Sequence, residues 1–565
     1  MQTLGDPGSL NLAWCRALLD GLYQVGIERV VVSPGSRSTP LALAAARDPR
    51  LTIHIILDER SAAFFAVGTA RGSGRAVALV ATSGSAVANW LPAVVEADLS
   101  RIPLVLLSAD RPLELRGWGA NQTIEQPGLF GNRVRSCHDL PVPQASAGAL
   151  AEIRQRGALA AATACWPLPG PVHLNVPLRE PLVPKQDPAP TAWPPMQVYP
   201  PRTGVAPAGM DAIARGLRGC GLIVCGPALG ADLTPEPITR LATTADCPIL
   251  ADPLSGLRCG PHQRTRVMTR YEAYLRAAGT RKHLRPDWIL RLGGLPVSKF
   301  LGHYLGDMRG VRQLVVDPHG RWPDPLHTTT DLLQGDPAEI CDVLASAVEP
   351  AATDWVRRWR RLEHVTAGFP QRALPTEACV VQTLIQRLPA DSCLFSGNSM
   401  PIRDLDAFLS GRDAPLRVLA NRGASGIDGN LSTVMGLAAV SKTPVVALIG
   451  DLACPHDLGA LAAAKGLNAV ILVIDNDGGG IFGYLPQAGL PELEPLFLTQ
   501  QSVDLKAAAS AYGVRHRRLD DVGLLGDALA DALRRGGVEL LVVPVDRQAS
   551  TAAHQAYWQH AATLG

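Results

Sequence analysis

Residues 445–480, VVALIGDLACPHDLGALAAAKGLNAVILVIDNDGGG, decide the fold class of this chain. An apolar, β-branched run, Val445–Ile449, ends in Gly450-Asp451. A stretch with helical spacing, Asp457–Lys465, follows, and a second apolar run, Ala469–Ile474, ends in Asp475-Asn476. Strand, helix and strand in this span predict a right-handed crossover, which sets two parallel strands side by side or nearly so. Asp451 and Asn476, 25 positions apart, then stand at carboxyl ends of neighbouring strands, where open α/β sheets bind ligands. A carboxylate and an amide carbonyl are hard oxygen donors suited to Mg²⁺, which completes its octahedron with water and ligand phosphates. Gly478-Gly479-Gly480 lets the backbone come close and turn a carbonyl toward the ion. An aspartate at a strand end is also common as a helix cap. The spacing, Asn476 and the three glycines together favour the ion.

Outward from this stretch the same alternation recurs. Ser392–Phe395 and Arg417–Ala420 precede it as strands and Glu539–Val543 follows. Near the amino terminus, Arg29–Ser33, Leu51–Leu57, Ala76–Thr82 and Leu104–Ser108 read as strands, with alanine-rich helical stretches at Leu41–Ala46 and Ala62–Ala70. A middle region offers Leu222–Val224, Pro248–Ala251, Trp288–Arg291 and Gln313–Val316. Strands alternating with helices argue parallel sheets covered on both faces. The expected fold is therefore α/β, with three doubly wound parallel-sheet domains at 1–182, 210–350 and 351–565. The proline-dense segment 183–209, with Pro194, Pro195, Pro200 and Pro201, is expected to be an extended linker. The first and third regions share a rhythm.

A chain of 565 residues, 47% hydrophobic and 18% charged, suits several globular domains with large cores. A net charge of +2 gives no electrostatic reason to expect nucleic acid or an acidic membrane surface as partner. No apolar run is long enough to span a bilayer, and Met1–Leu12 lacks the basic-then-apolar pattern of a secretory signal. The eleven cysteines include no C-x-x-C pair. They read as small buried apolar side chains in a reducing cytoplasm, the expected location.

Gly450-Asp451 followed at this spacing by Asn476 resembles the metal–diphosphate motif of thiamine-diphosphate enzymes. The resemblance implies a pyrimidine-binding domain (1–182) and a diphosphate-binding domain (351–565), with thiamine diphosphate held through Mg²⁺ or Mn²⁺. It makes Asp451, Asn476 and the Gly478 carbonyl the metal ligands, with Leu452 and Gly479 beside the diphosphate. It also implies that Glu59, after the strand Leu51–Leu57, contacts the aminopyrimidine and activates the cofactor. Without the resemblance, Glu59 reads equally well as a first-turn helix charge.

Four loops after predicted strands combine small residues with a cation: Ser33–Ser38 with Arg37, Ala109–Pro112 with Arg111, Gly397–Arg403 and Asn421–Gly426 with Arg422. Guanidinium forks bind carboxylates bidentately, so several in one cleft imply a substrate set rich in carboxylates. Any one alone would pass for a surface ion pair. SPGSRSTPL (Ser33–Leu41), Ala109–Gln126, GNSMPIRDLD (Gly397–Asp406), NRGASGIDG (Asn421–Gly429) and NDGGGIF (Asn476–Phe482) closely resemble the 2-succinyl-5-enolpyruvyl-6-hydroxy-3-cyclohexene-1-carboxylate synthase family. This resemblance runs nearly end to end. It implies a transferase of menaquinone or phylloquinone biosynthesis, in which 2-oxoglutarate is decarboxylated and the succinyl carbanion undergoes 1,4-addition to isochorismate. The two carboxylates on each substrate would face Arg37, Arg111, Arg403, Arg422 and Lys299. Ser36, Gln122 and Ser399 would supply neutral hydrogen bonds. Ile427 would brace the cofactor, and Phe482 and Leu485 would line the cavity. Some members carry a second cation after the lysine, where this chain has Phe300. The family's sites are completed by two chains, which implies a homodimer at least and a homotetramer as the expected assembly.

Three other functions compete. An acetolactate-synthase-like enzyme or another 2-oxoacid decarboxylase leaves the arginine set unexplained. A non-catalytic subunit would have lost Glu59 or a metal ligand. A nicotinamide-dependent dehydrogenase lacks a strand followed by G-x-G-x-x-G.

Overall fold

The computed structural model describes residues 6–200, 204, 207–230, 232–351 and 354–563. Residues 1–5 of the amino terminus, and 201–203, 205 and 206 of the proline-rich segment, lie outside the described residues. Among the described residues, eighteen strands form three six-stranded sheets, all with parallel pairings. The first sheet holds β1 (Arg29–Val32), β2 (Thr52–Ile55), β3 (Val77–Ala81), β4 (Leu104–Asp110), β5 (Cys137–Asp139) and β6 (Pro171–Pro177). The second holds β7 (Gly221–Cys225), β8 (Ile249–Ala251), β9 (Val267–Met268), β10 (Trp288–Leu292), β11 (Arg312–Val316) and β12 (Asp331–Leu333). The third holds β13 (Ser392–Ser396), β14 (Leu416–Ala420), β15 (Val445–Gly450), β16 (Ala469–Asp475), β17 (Arg515–Arg518) and β18 (Val538–Pro544).

The first and third sheets have one strand order: β2-β1-β3-β4-β6-β5 and β14-β13-β15-β16-β18-β17. The rhythm shared in sequence is thus a shared topology. In both, the order reverses between the first and third strands, the switch point at which a doubly wound sheet opens a crevice. Loops after β1 and β3 flank it in the first sheet, and loops after β13 and β15 in the third. The second sheet runs β12-β11-β10-β7-β8-β9, with its switch between β7 and β10. There the two loops pack backbone to backbone, the Gly294 N–H donating to the Pro227 carbonyl at 2.8 Å.

The chain forms two compact units. One comprises Met1–Pro201, Asn421–Lys442 and His456–Leu467; the other comprises Arg202–Ala420, Thr443–Pro455 and Asn468–Gly565. In the first, central strands such as β3 and β4 are buried along their whole length, as apolar runs in a two-faced sheet must be. The helix Asn430–Ala438 packs there on the helix Glu59–Ser73. A Cβ at Gly68 would strike the Thr433 carbonyl, and one at Gly436 the Phe65 carbonyl, so the two backbones touch where neither carries a side chain. In the second unit, a buried Arg258 joins the middle sheet's loops to the helix Met400–Phe408. It donates to Asp406 Oδ1 at 2.7 Å and to the carbonyls of Asp406 and Leu409.

Two sequence expectations need correction. The predicted helix Asp457–Lys465 is a short helix, Ala453–His456, followed by a 3₁₀ segment, Leu458–Ala463. Pro455 removes a backbone donor, and Asp457 is fully buried, accepting from the Ser432 N–H and hydroxyl at 2.7 and 3.0 Å. The cysteines are also not uniformly buried: Cys137 and Cys165 are exposed.

Candidate active site

β15 and β16 are immediate neighbours in parallel register, Gly450 opposite Ile474, so Asp451 and Asn476 emerge side by side at carboxyl ends. The Gly478 N–H donates to Asp451 Oδ2 at 2.7 Å, tying the glycine loop to the carboxylate. The Leu452 N–H points at the same carboxylate. Burial, with a contribution from Asp475, pushes Asp451 up to about 6. A carboxylate so placed calls for a cation. Asn476 Oδ1 is buried and has no hydrogen-bond partner. An orphaned amide oxygen beside a desolvated carboxylate fits a hard divalent cation. Among the described residues no group of three or more His, Cys, Asp or Glu could hold a metal, so this donor set suits an ion whose remaining ligands come with a phosphate. The Gly478 carbonyl accepts from the Gly480 N–H at 2.8 Å, and the Gly479 N–H donates to the Leu498 carbonyl. The acidic neighbours have partners of their own. Asp475 pairs with Arg518 at 3.1 Å, and Asp477 accepts from Gln500 while its carbonyl takes Arg547.

At the other side of the same switch point, the Gly397 N–H donates to the Leu448 carbonyl at 2.7 Å. Ser399 has φ 70° and ψ −126°, a conformation costing a non-glycine residue about 1–3 kcal/mol and typical of functional loops. Its carbonyl accepts from Arg403 Nη1 at 2.5 Å. Arg403 and Lys299 line one cleft of about 440 Å³, with Leu485, Ile481 and Tyr484 on its wall. Phe482 instead packs on Phe497, ring centroids 5.3 Å apart. Phe300 lies under Arg276, whose guanidinium carbon is 4.2 Å from that ring and 3.5 Å from the Trp558 ring. A cation therefore lines the cleft beside Phe300 although none follows Lys299 in sequence.

In the first unit, Glu59 is half-buried in the first turn of Glu59–Ser73, behind an Asp58 cap that accepts from the Ser61 N–H at 2.9 Å. β2 ends at Ile55, so Glu59 opens a helix rather than closing a strand. Arg37 is buried; its fork reaches Glu180 Oε1 at 2.7 Å and the Leu178 carbonyl at 2.9 Å. Arg111 donates to Ser83 and to the Gln122 carbonyl. Burial first, then the Arg37 charge, depresses its pKa, which places the two cations in one field. Ser36 is exposed, and Gln122 holds a left-handed φ of 54°. The loop carrying Arg422 and Ile427 is anchored by buried Glu96, which accepts from the N–H groups of Gly423 and Ala424 at 3.0 and 2.7 Å.

The sequence-predicted residues thus form two sets. Ser36, Arg37, Glu59, Arg111, Gln122, Arg422 and Ile427 belong to the first unit. Lys299, Ser399, Arg403, Asp451, Leu452, Asn476, Gly478, Gly479, Phe482 and Leu485 belong to the second.

Comparison with known proteins gives this geometry its context. Residues 14–129 match the thiamine pyrophosphate enzyme N-terminal TPP binding domain, and residues 406–543 the C-terminal TPP binding domain. A 2-succinyl-5-enolpyruvyl-6-hydroxy-3-cyclohexene-1-carboxylate synthase from Dechloromonas aromatica is 43% identical over 95% of this chain and 99% of its own. One from Geobacillus kaustophilus is 43% identical over 97% of each.

The chain belongs to this synthase family.

The benzoylformate decarboxylase crystal structure from Polynucleobacter necessarius matches with a TM-score of 0.70 at 18% identity, covering 94% of this chain and 98% of that one. At that identity it shows a shared fold. Within a synthase frame, three contributors escaped sequence reading. Ser83 had a signal, a Ser-Gly loop after a strand beside β1. Glu96 and Arg276 had none, because one reads as an ordinary helix charge and the other as an ordinary turn charge until the loop or ring it holds is seen.

Proposed function

We propose that this chain catalyses the thiamine-diphosphate-dependent decarboxylation of 2-oxoglutarate and 1,4-addition of its succinyl unit to isochorismate, in menaquinone biosynthesis. The observation that carries the reading is the likeness to synthases at 43% identity along almost the whole of both chains. It is supported by Lys299 and Arg403 on a single cleft and by Arg37 and Arg111 acting on each other. Two dicarboxylate substrates require such cations.

Asp451, Asn476 and the Gly478 carbonyl would hold Mg²⁺ or Mn²⁺, with Leu452 and Gly479 beside the diphosphate. Bound thiamine diphosphate supplies the electron sink that decarboxylation needs. Glu59 would hold a proton at the aminopyrimidine nitrogen. Arg37, Arg111, Arg403, Arg422 and Lys299 bind substrate carboxylates. Ser36, Gln122 and Ser399 orient them through neutral hydrogen bonds. Ile427 would brace the cofactor, and Phe482 and Leu485 would line the cavity. The domain bounds 1–182, 183–209, 210–350 and 351–565 belong to the same proposal.

A homodimer at least, with a homotetramer expected, completes this reading. Ile55 and Leu57, just before Glu59, are 65% and 80% exposed, and Leu113 and Trp118 are 73% and 83% exposed. Exposed apolar side chains such as these are what a partner subunit would cover. No helix among the described residues is long and apolar enough to cross a membrane, and a cytoplasmic site of action is proposed with the pathway.

Glu59→Gln tests the assignment of the activating carboxylate. The variant should retain thiamine diphosphate in a binding titration yet lose almost all CO₂ release. Full activity would reject the role.

A further inference from the structure

In the wall of the cleft lined by Lys299 and Arg403 lies a buried polar cluster that the chemistry above does not use. His554, on the helix Arg547–Ala562, is 1% exposed. Its Nε2 is 3.1 Å from Asp404 Oδ1, and its Nδ1 is 2.9 Å from the Ser550 carbonyl and 3.1 Å from Tyr484 Oη. A carboxylate on one side and a carbonyl on the other are acceptors only, so satisfying both requires a proton on each ring nitrogen. The ring sits among Phe408, Tyr484 and Trp558, with centroids 5.6, 5.5 and 5.6 Å away. The Ser550 hydroxyl donates to Glu377 Oε1 at 2.7 Å, and Glu377 Oε2 is buried without a partner.

The partners of His554 lie on the same cleft wall, next in sequence to the residues assigned to substrate. Asp404 follows Arg403 on the helix Met400–Phe408, and Tyr484 precedes Leu485 at the end of the turn Gly480–Tyr484. One ring therefore spans two elements that approach the cleft from different parts of the chain. We propose that His554 is a positioning residue: a buried imidazolium that ties the helix carrying Arg403 to the turn carrying Leu485, fixing the spacing between the substrate-binding cation and the apolar wall. This rests on the substrate reading given above for Arg403 and Leu485.

Burial alone would lower the His554 pKa, but the hydrogen bond and charge of Asp404, with the charge of Glu377, hold it above the usual imidazole value. The groups facing it are Asp404 from the helix Met400–Phe408, Glu377 from the helix Thr376–Arg387 and Tyr484 from the turn. Glu272 and Arg276 line the cleft beyond Trp558. With the folded pKa raised, the tie is complete below the ordinary imidazole range and is lost as pH rises through the folded value.

The test uses the full chain loaded with thiamine diphosphate and Mg²⁺, and three variants, His554→Gln, Asp404→Asn and Tyr484→Phe. KM and kcat are measured for 2-oxoglutarate and isochorismate across pH, alongside amide hydrogen exchange. KM for at least one substrate should rise about tenfold in His554→Gln and Asp404→Asn, and by less in Tyr484→Phe, with kcat changed less than KM. The alkaline rise in KM of the parent should flatten in His554→Gln. Exchange should quicken in residues 400–408 and 480–485 and stay unchanged in β15 and β16. Tyr484→Phe removes only a hydroxyl and keeps the test alive if the others do not fold. Parental KM values and pH profile in a folded variant would overturn the proposal. So would equal losses of kcat and KM accompanied by faster exchange throughout the unit. If the parent itself does not turn over the two substrates, the functional reading fails, and the exchange pattern alone then upholds or rejects the tie.

Discussion

Asn476 is the residue on which the metal reading turns. Its side-chain oxygen is buried with no partner, a situation that costs about 1–3 kcal/mol unless something answers it. Replacing both shape and burial with an apolar group should therefore leave the cofactor-free protein as stable as before, or more so. Asn476→Leu is expected to keep or raise the thermal midpoint without cofactor while abolishing Mg²⁺-dependent retention of thiamine diphosphate. A large drop in the cofactor-free midpoint would show that the oxygen has a structural partner instead. Asp451 and Asn476 were legible in sequence because strand–helix–strand spacing fixes where strand ends fall. What flanks them was not. The partners of Asp475 and Asp477 come from Arg518, Gln500 and Arg547, far along the chain and set by tertiary packing. Lys299 shows the same limit, since the cation beside Phe300 is Arg276 from the turn between the helices Tyr271–Tyr274 and Ala278–His283.

At the scale of elements, strands in apolar runs such as β3, β10 and β16 were readable almost to the residue. Four edge strands, β5, β9, β12 and β17, were not, and neither was the interior β6, whereas the edge strands β2 and β14 were. β17, Arg515–Arg518, has no apolar alternation, and β5 and β12 span three residues each. These are held by neighbouring strands rather than by their own pattern. The loop Asn421–Gly429 is a sharper case: its motif announced a function, while its anchor, Glu96, announced nothing. Glu96 accepts from two loop N–H groups and from the Ser100 hydroxyl. Hydrogen bonds to a buried charge of this kind contribute about 1.5–3 kcal/mol. Glu96→Ala should speed amide exchange at residues 421–429 and raise KM for at least one substrate. Unchanged protection of that loop would remove Glu96 from the account. Gly429→Ala should loosen the same loop, because φ there is 62° and an added Cβ would run into the Phe64 ring.

Across the whole molecule, the first and third sheets share one topology and place their loops at matching switch points, which is why function-bearing residues arrive in two sets. The first unit also carries an acid-sensitive element. His173, on β6, is fully buried, and its Nε2 lies 2.7 Å from the Ser108 hydroxyl; burial lowers its pKa from 6.5 to about 4. The unfolded chain then binds a proton that the folded chain refuses, so stability is complete above about pH 6.5 and falls as pH drops toward 4. The shift corresponds to about 3 kcal/mol. Amide exchange in β4 and β6 should quicken over that window, and His173→Asn should flatten the dependence; an identical slope in the variant would exclude His173 as its source.

The central claim is that one site couples two dicarboxylates. Purified protein with thiamine diphosphate and Mg²⁺ should be given 2-oxoglutarate, isochorismate and pyruvate together, with CO₂, substrate loss and products followed by mass. The account predicts one CO₂ per isochorismate consumed, a product bearing the succinyl unit of 2-oxoglutarate, and pyruvate untouched. CO₂ drawn from pyruvate, with isochorismate unchanged, would contradict it.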